Sequence, residues 1–331
     1  MIKTVAVLGA GSWGTALAKL LAEKPALKVK LWARSAELAK TINNVKQNPL
    51  YLPDAVLPAG LEATADLRAV LPADLIICAL PSHALRPMAQ SIAREIPPGQ
   101  MIVSCAKGLE DGTFCRMSQV IQSECPLAAV AALSGPNHAN EVASRQPTAT
   151  VIACADESVA EKIQAVLSTA YFRPYTNPDV TGVELGGAFK NIIAIALGLL
   201  NGLGYQDNIK AAAMTRGLAE ISRLGVALGA KPATFLGLAG MGDLISTCTS
   251  KHSRNRRAGE QLAAGCKIKD ILAGTNMVVE GIRAINAAYS LSAELSVEMP
   301  ITRELYNVIY EDKDITAAVA DLMNRSSKSE C

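Results

Sequence analysis

Lys190 stands alone in an apolar run. The stretch Leu185–Leu200 reads LGGAFKNIIAIALGLL, and from Leu185 to Gln206 no other side chain is formally charged. On a helix its i±3 and i±4 neighbours are Gly186, Gly187, Ile193 and Ala194, none of which can pair with an ammonium group. Two readings stay open. The stem can pack while the ammonium reaches water. Alternatively the amine sits in a partly desolvated cleft, able to give or take a proton. On the second reading Lys190→Ala keeps the fold and loses turnover.

Lys107 follows the apolar run MIVSCA and precedes Gly108, so it can reach over a sheet edge toward an anionic or carbonyl group, or lie solvated. Two more loops leave strand-like runs at that edge: ALPSHAL, with Pro81 and Ser82, and LSGPNHANE, with Gly135, Pro136, Asn137 and Ala139. Asp243 lies in the glycine-rich GLAGMGD, as a site residue or as a plain cap. SRNRR puts Ser253 where an N-cap belongs, with Arg254, Asn255, Arg256 and Arg257 in the first turn. Arginines there oppose the helix dipole, and with the unpaired N–H groups they make a pocket for phosphate. The alternatives are a solvated basic face or a nucleic-acid patch; the segment is short and has no interleaved aromatics.

VAVLGAGSWGTALAKLLAE holds G-x-G-x-x-G as Gly9, Gly11 and Gly14 between a strand-like run and a helical one. In that context Gly9 permits the tight turn, Gly11 lets the backbone approach a pyrophosphate, and Gly14 lets helix and strand pack closely. Ser12 and Trp13 lie in the loop, where their backbone can touch phosphates. The second strand-like run, VKLWARS, ends in Arg34 where an NAD site often has an acid. Arginine suits a 2′-phosphate, so NADP use or dual specificity is expected; Arg34 stacked on adenine or solvated is the alternative.

These residues need elements to hold them. Up to about residue 180, apolar runs (TVAVLG, VKLWA, DLIICAL, MIVSCA, AVAAL, TATVIA) alternate with helical stretches at 15–23, 83–95, 115–124 and 157–169. This predicts a mostly parallel sheet buried on both faces. After Pro178 the spacing is helical, as in GLAEISRLGVALGA and AGEQLAAG. The expected fold is an α/β Rossmann-type dinucleotide-binding domain over residues 1–180, then an all-α substrate-binding and catalytic domain over 181–331. The run around Lys190 is broken by Lys190, Gly198, Asn201 and Gly202 and reads as a buried core helix, not a membrane span.

Composition narrows the function. Half of the 331 residues are hydrophobic, 19% are charged and the net charge is +2, so nothing global points to nucleic acid or an anionic membrane. The eight cysteines form no C-x-x-C pair, and several sit in apolar runs; free thiols of a reducing compartment follow. No metal-ligand spacing is present. The apolar run after Met1 is too short for a signal peptide and leads into the glycine pattern.

GAGSWGTALA, AKGLE, SGPNHANE, GGAFKNIIAIALG, GLAGMGDLISTCTS, SRNRR and VVEG occur in this order across nearly the whole chain. Together they closely resemble the bacterial NAD(P)-dependent glycerol-3-phosphate dehydrogenases. The blocks around Lys190 and SRNRR carry the specificity; the glycine loop alone does not. The resemblance implies interconversion of dihydroxyacetone phosphate and sn-glycerol 3-phosphate, which supplies the phospholipid backbone, by a cytoplasmic enzyme, commonly a homodimer, using NADP or NAD. It implies that Ser12, Trp13, Arg34, Lys107 and Ala139 contact the dinucleotide, joined by Arg254, Val278 and Glu280. It implies that Lys107, Gly135, Asn137, Lys190, Asp243, Ser253, Arg254 and Asn255 line the substrate, with Lys190 as general acid/base and Lys107 as electrostatic partner. After Gly-Pro the family usually has a small hydroxyl residue and an aromatic. This chain has Asn137 and His138, a change that a backbone N–H contact survives and a hydroxyl contact does not. A related dehydrogenase of another hydroxy acid or ketone, and a non-catalytic NAD(P) sensor, are the competing functions.

Overall fold

The computed structural model describes residues 2–274, 279–327 and 329. The chain divides into two compact units, Met1–Glu184 and Leu185–Cys331.

The first unit is an eight-stranded sheet flanked by helices. Its strands are β1 (Thr4–Leu8), β2 (Lys28–Trp32), β3 (Glu62–Thr64), β4 (Leu75–Cys78), β5 (Met101–Ser104), β6 (Ala129–Ser134), β7 (Thr148–Ala153) and β8 (Phe172–Asn177). The helices are α1 (Ser12–Ala22), α2 (Ala36–Val45), α3 (Ser82–Ile92), α4 (Met117–Glu124), α5 (Ala139–Ala143) and α6 (Glu157–Leu167). Strand order is β3-β2-β1-β4-β5-β6-β7-β8, parallel except for the β6–β7 pair. Direction of winding reverses between β1 and β4, the place where such sheets open a crevice beyond their carboxyl ends. Alternation along β1 explains the two-sided core: Val5 and Val7 pack into one apolar cluster, Ala6 and Leu8 into the other.

Six strands coincide with the apolar runs; β3 and β8 do not. Strand β3 has only three residues, too few to set a pattern. The edge strand β8 carries Pro174 and alternates buried with exposed residues, so it lacks the apolar signature of its neighbours. Helix α1 begins before Thr15 because Gly11 is its N-cap. Helix α4 begins after Cys115 because that residue's carbonyl closes the preceding loop onto the Glu110 N–H, at 3.0 Å.

The second unit is helical throughout its described residues. Helix α7 (Val180–Gly202) runs into it from the first unit and is followed by α8 (Asp207–Ala227), α9 (Pro232–Phe235), α10 (Asp243–Thr249), α11 (Arg254–Ala263), α12 (Ile268–Ala273), α13 (Glu280–Glu294), α14 (Pro300–Tyr310) and α15 (Ile315–Met323). By length and composition α7 could cross a membrane, yet every residue from 182 to 200 is buried in the protein. Its glycines set its packing. A Cβ at Gly198 would sit 2.0 Å from the Arg256 carbonyl oxygen, and one at Gly259 would sit 2.1 Å from that of Ile195. Helices α7 and α11 therefore touch backbone to backbone. Elsewhere Glu220 on α8, buried, accepts the Ile301 and Thr302 N–H groups at 2.8 and 3.2 Å and so caps the first turn of α14.

Among the described residues all seven cysteines are free thiols; Cys331 lies outside them.

Candidate active site

In the first unit the glycine loop turns from β1 into α1. Gly9 adopts φ +114°, and a Cβ there would lie 2.5 Å from the Ala79 carbonyl oxygen. At Gly14 a Cβ would lie 1.9 Å from the Gly9 carbonyl oxygen, so α1 can sit on the strand end only with glycine there. Gly11 is different: a Cβ there would meet nothing within 4 Å. Space is thus kept open above the N-terminus of α1, which has no side-chain cap and no acid in its first turn. Its unpaired N–H groups and dipole suit a pyrophosphate, so the residues fit a dinucleotide. The Ser12 hydroxyl donates to the Tyr51 carbonyl at 2.7 Å, which leaves its backbone for that role. Asn48 was not legible in the sequence. Wholly buried, it donates to the Ala10 carbonyl at 2.9 Å and to the Thr15 hydroxyl at 2.8 Å, bracing the loop. Trp13 packs on the core by Phe172, with ring centres 6.4 Å apart. Burial pushes the Cys105 thiol up to about 12, against the pull of Trp13 and Lys107. Arg34, two residues past β2, is exposed and makes no hydrogen bond or ion pair among the described residues.

Lys107 leaves the end of β5. Its Nζ donates to the Gly135 carbonyl at 2.9 Å and to Asn137 Oδ1 at 3.2 Å. Asn137 Nδ2 donates to the Thr150 hydroxyl at 2.9 Å, which donates to the Ser134 carbonyl at 3.0 Å. The side chain of Asn137 thus orients Lys107. Gly135 has φ +142°, with Thr150 Cα 3.1 Å from where a Cβ would be. Ala139 opens α5 directly after the N-cap His138.

In the second unit Lys190 is 6% exposed, and it has a partner that its helix could not reveal. Its Nζ donates to Asp243 Oδ1 and, at 2.5 Å, to the Thr247 hydroxyl. None of its neighbours on α7 pairs with it, as expected; the carboxylate comes from α10. Gly186 makes the approach possible. A Cβ there would lie 2.7 Å from the Ala239 carbonyl oxygen, so the glycine one turn before Lys190 admits another segment's backbone. That backbone belongs to a π-helical turn, Leu238–Gly242, immediately before Asp243. Asp243 is 1% exposed and opens α10; Thr247, one turn on, shares its face. Burial pushes the adjacent Cys248 thiol up to about 12, so no thiolate forms beside the ion pair.

Asn191, next to Lys190, accepts from Asn255 Nδ2 at 2.8 Å, and Asn255 Oδ1 accepts the Gly281 N–H at 3.0 Å. The side chain of Asn255 therefore ties α11 to α7 and to the start of α13, which Glu280 opens. Ser253 is the N-cap of α11, accepting the Arg256 N–H at 3.3 Å. Arg256 is engaged by Glu260 at 3.0 Å and the Thr249 carbonyl at 2.9 Å, while Arg254 and Arg257 are the exposed arginines of the first turn. Protein bulk around the Arg254 guanidinium lowers its pKa, and the Glu280 carboxylate acts the other way. The group is crowded by protein yet open to solvent. Val278 lies outside the described residues. In the second unit, Thr247 and Asn191 are residues that reading the sequence passed over. The signal for Thr247 was its i+4 spacing from Asp243.

Comparison with known proteins places the chain in a family. Residues 4–160 match the family model described as NAD-dependent glycerol-3-phosphate dehydrogenase N-terminus, and residues 179–320 match its C-terminus counterpart. A glycerol-3-phosphate dehydrogenase (NAD(P)+) of Moorella thermoacetica is 52% identical over 326 residues, covering 98% of this chain and 97% of the relative. One from Enterococcus faecalis is 48% identical over 336 residues, covering 100% and 98%. The crystal structure of glycerol-3-phosphate dehydrogenase from Coxiella burnetii superposes with a TM-score of 0.92 at 37% identity, covering 98% of this chain and 99% of that one. The chain belongs to the NAD-dependent glycerol-3-phosphate dehydrogenase family.

Proposed function

We propose that Lys190 is the general acid/base in the reversible, NAD(P)H-dependent reduction of dihydroxyacetone phosphate to sn-glycerol 3-phosphate. Family membership and full-length similarity support the reaction. The observation that supports the role of Lys190 is its burial against Asp243 and Thr247.

When bound, the reduced nicotinamide supplies the hydride that goes to the substrate carbonyl carbon. Negative charge then develops on the carbonyl oxygen, and a preorganised cation with a transferable proton stabilises it. Lys190 supplies both. Asp243 holds the ammonium in place until the proton moves, and the Thr247 hydroxyl fixes its position. Lys107, oriented by Asn137, acts as a second electrostatic partner. Arg254 and the first-turn N–H groups of α11 grip the substrate phosphate, so that remote binding positions the carbonyl.

Residues 1–180 hold the dinucleotide through Gly9, Gly11, Ser12, Trp13, Gly14, Arg34, Lys107 and Ala139. Residues 181–331 carry proton transfer and phosphate binding. Arg34 favours NADPH or dual use. The protein acts in the cytoplasm as a homodimer and supplies glycerol phosphate for phospholipid synthesis.

The test is oxidation of NADPH, and in parallel NADH, by the purified protein with dihydroxyacetone phosphate. Unphosphorylated dihydroxyacetone is the control. Substrate-dependent turnover that collapses with the control supports the reading; equal turnover with both ketones rejects the phosphate grip.

A further inference from the structure

Glu110 closes the AKGLE block, and no role given above uses it. It sits in the loop between β5 and α4, beyond Lys107 and the buried Gly108 and Leu109. Arg86 of α3 grips it with both arms of the guanidinium: Nε donates to Oε1, and Nη2 donates to Oε2 at 2.7 Å. The third nitrogen, Nη1, donates to Glu124 at 2.5 Å and to the Ser123 hydroxyl at 3.1 Å, both on α4. Thr113 donates to Glu110 Oε2 at 2.6 Å.

The loop does not need this clamp to close. The Glu110 N–H donates to the Cys115 carbonyl at 3.0 Å, the Phe114 N–H donates to the Glu110 carbonyl at 2.9 Å, and Leu109 pairs with Arg116 in an antiparallel bridge. What the clamp adds is attachment of an already closed loop to α3, the helix that leaves β4. Strands β4 and β5 are paired neighbours, so Arg86 ties the loop after β5 to the helix after β4. Lys107 lies between two anchors: the strand end, where the Cys105 N–H meets the Cys78 carbonyl at 2.9 Å, and the clamped Glu110. A bidentate Arg–carboxylate pair fixes direction as well as distance, which a single hydrogen bond does not.

We infer that Glu110, gripped by Arg86, is a positioning residue for Lys107. The inference rests on the reading of Lys107 as part of the reacting site. Loss of the clamp leaves the loop folded but free to swing on its strand anchor, and the Lys107 ammonium shifts from its seat on Gly135 and Asn137. A misplacement of about 1 Å at such a site lowers rates by on the order of 10²-fold.

The test compares wild type, Glu110→Gln, Lys107→Ala and the double variant, reading kcat and KM with dihydroxyacetone phosphate alongside a melting curve. The expected result is a fall in kcat/KM of tenfold or more for Glu110→Gln, carried mainly by kcat, with melting close to wild type. In the Lys107→Ala background the same change has no further effect. A loss of equal factor in both backgrounds, or no loss in wild type, overturns the inference while leaving Lys107 in its role. Wild-type activity in Lys107→Ala overturns that role and the inference with it. If Glu110→Gln melts below the assay temperature, Arg86→Lys makes the same comparison, because it keeps a charge beside Glu110 and removes the fork.

Discussion

Replacing Lys190 tests chemistry and packing at once. From its apolar neighbours alone, Lys190→Ala keeps the fold. The structure adds a stability cost, because the change leaves the Asp243 carboxylate, 1% exposed, without its ammonium partner. Removing one member of a buried ion pair costs about 3–5 kcal/mol. For a unit of this size that is a melting shift of roughly 6–20 °C. Turnover should fall at least ~10²-fold, the usual contribution of a positioned acid/base. The two effects are separated with Lys190→Met combined with Asp243→Asn, which removes both charges and keeps the volume filled. Melting should recover and turnover should not. The assay is NADPH oxidation at saturating dihydroxyacetone phosphate, below the melting point of each variant. If Lys190→Ala keeps more than about a tenth of the wild-type rate, proton transfer by Lys190 is wrong. If it melts with wild type, the account of a buried pair is wrong.

Other expectations follow from single residues. Gly11→Ala should melt like wild type, since a methyl there meets nothing within 4 Å, and should raise KM for both cofactors tenfold or more; Gly14→Ala should fail to fold stably. Unchanged KM in Gly11→Ala would remove the pyrophosphate from that space. Arg34→Ala should raise KM for NADPH and leave NADH unaffected; parallel changes would mean that Arg34 does not read the 2′-phosphate. Burial pushes the Glu220 carboxyl up to about 7 from an ordinary value of 4.5. Between those values the folded state keeps a proton that the unfolded chain has released, so stability falls as pH rises, by on the order of 3 kcal/mol in all. Glu220→Gln should flatten that slope in urea titrations at pH 5 and pH 8, and equal slopes in both proteins would refute it.

The sequence made the outline of the fold readable where burial is continuous. Strands β1, β2 and β4 through β7 are covered on both faces and announce themselves as apolar runs. Strand β8 alternates and holds a proline, and β3 is three residues long, so neither shows a period. The same contrast holds in the site. Gly9, Gly11 and Gly14 act within a few residues of one another, so their spacing is their signal. Lys190 and Asp243 meet across 53 positions, and Asn48 reaches the glycine loop across 38. Local periodicity holds no record of such tertiary pairings. The glycine at 186 was visible, but that it admits the Ala239 backbone was not.

The contact between α7 and α11 has a mechanical consequence. Two helices separated by a layer of side chains can slide a little while rotamers absorb the motion. At Gly198 and Gly259 there is no such layer, and backbone presses on backbone. A displacement at the head of α11, where Arg254 projects, passes into α7 without loss. The head of one helix and the lysine of the other therefore behave as parts of one stiff lever.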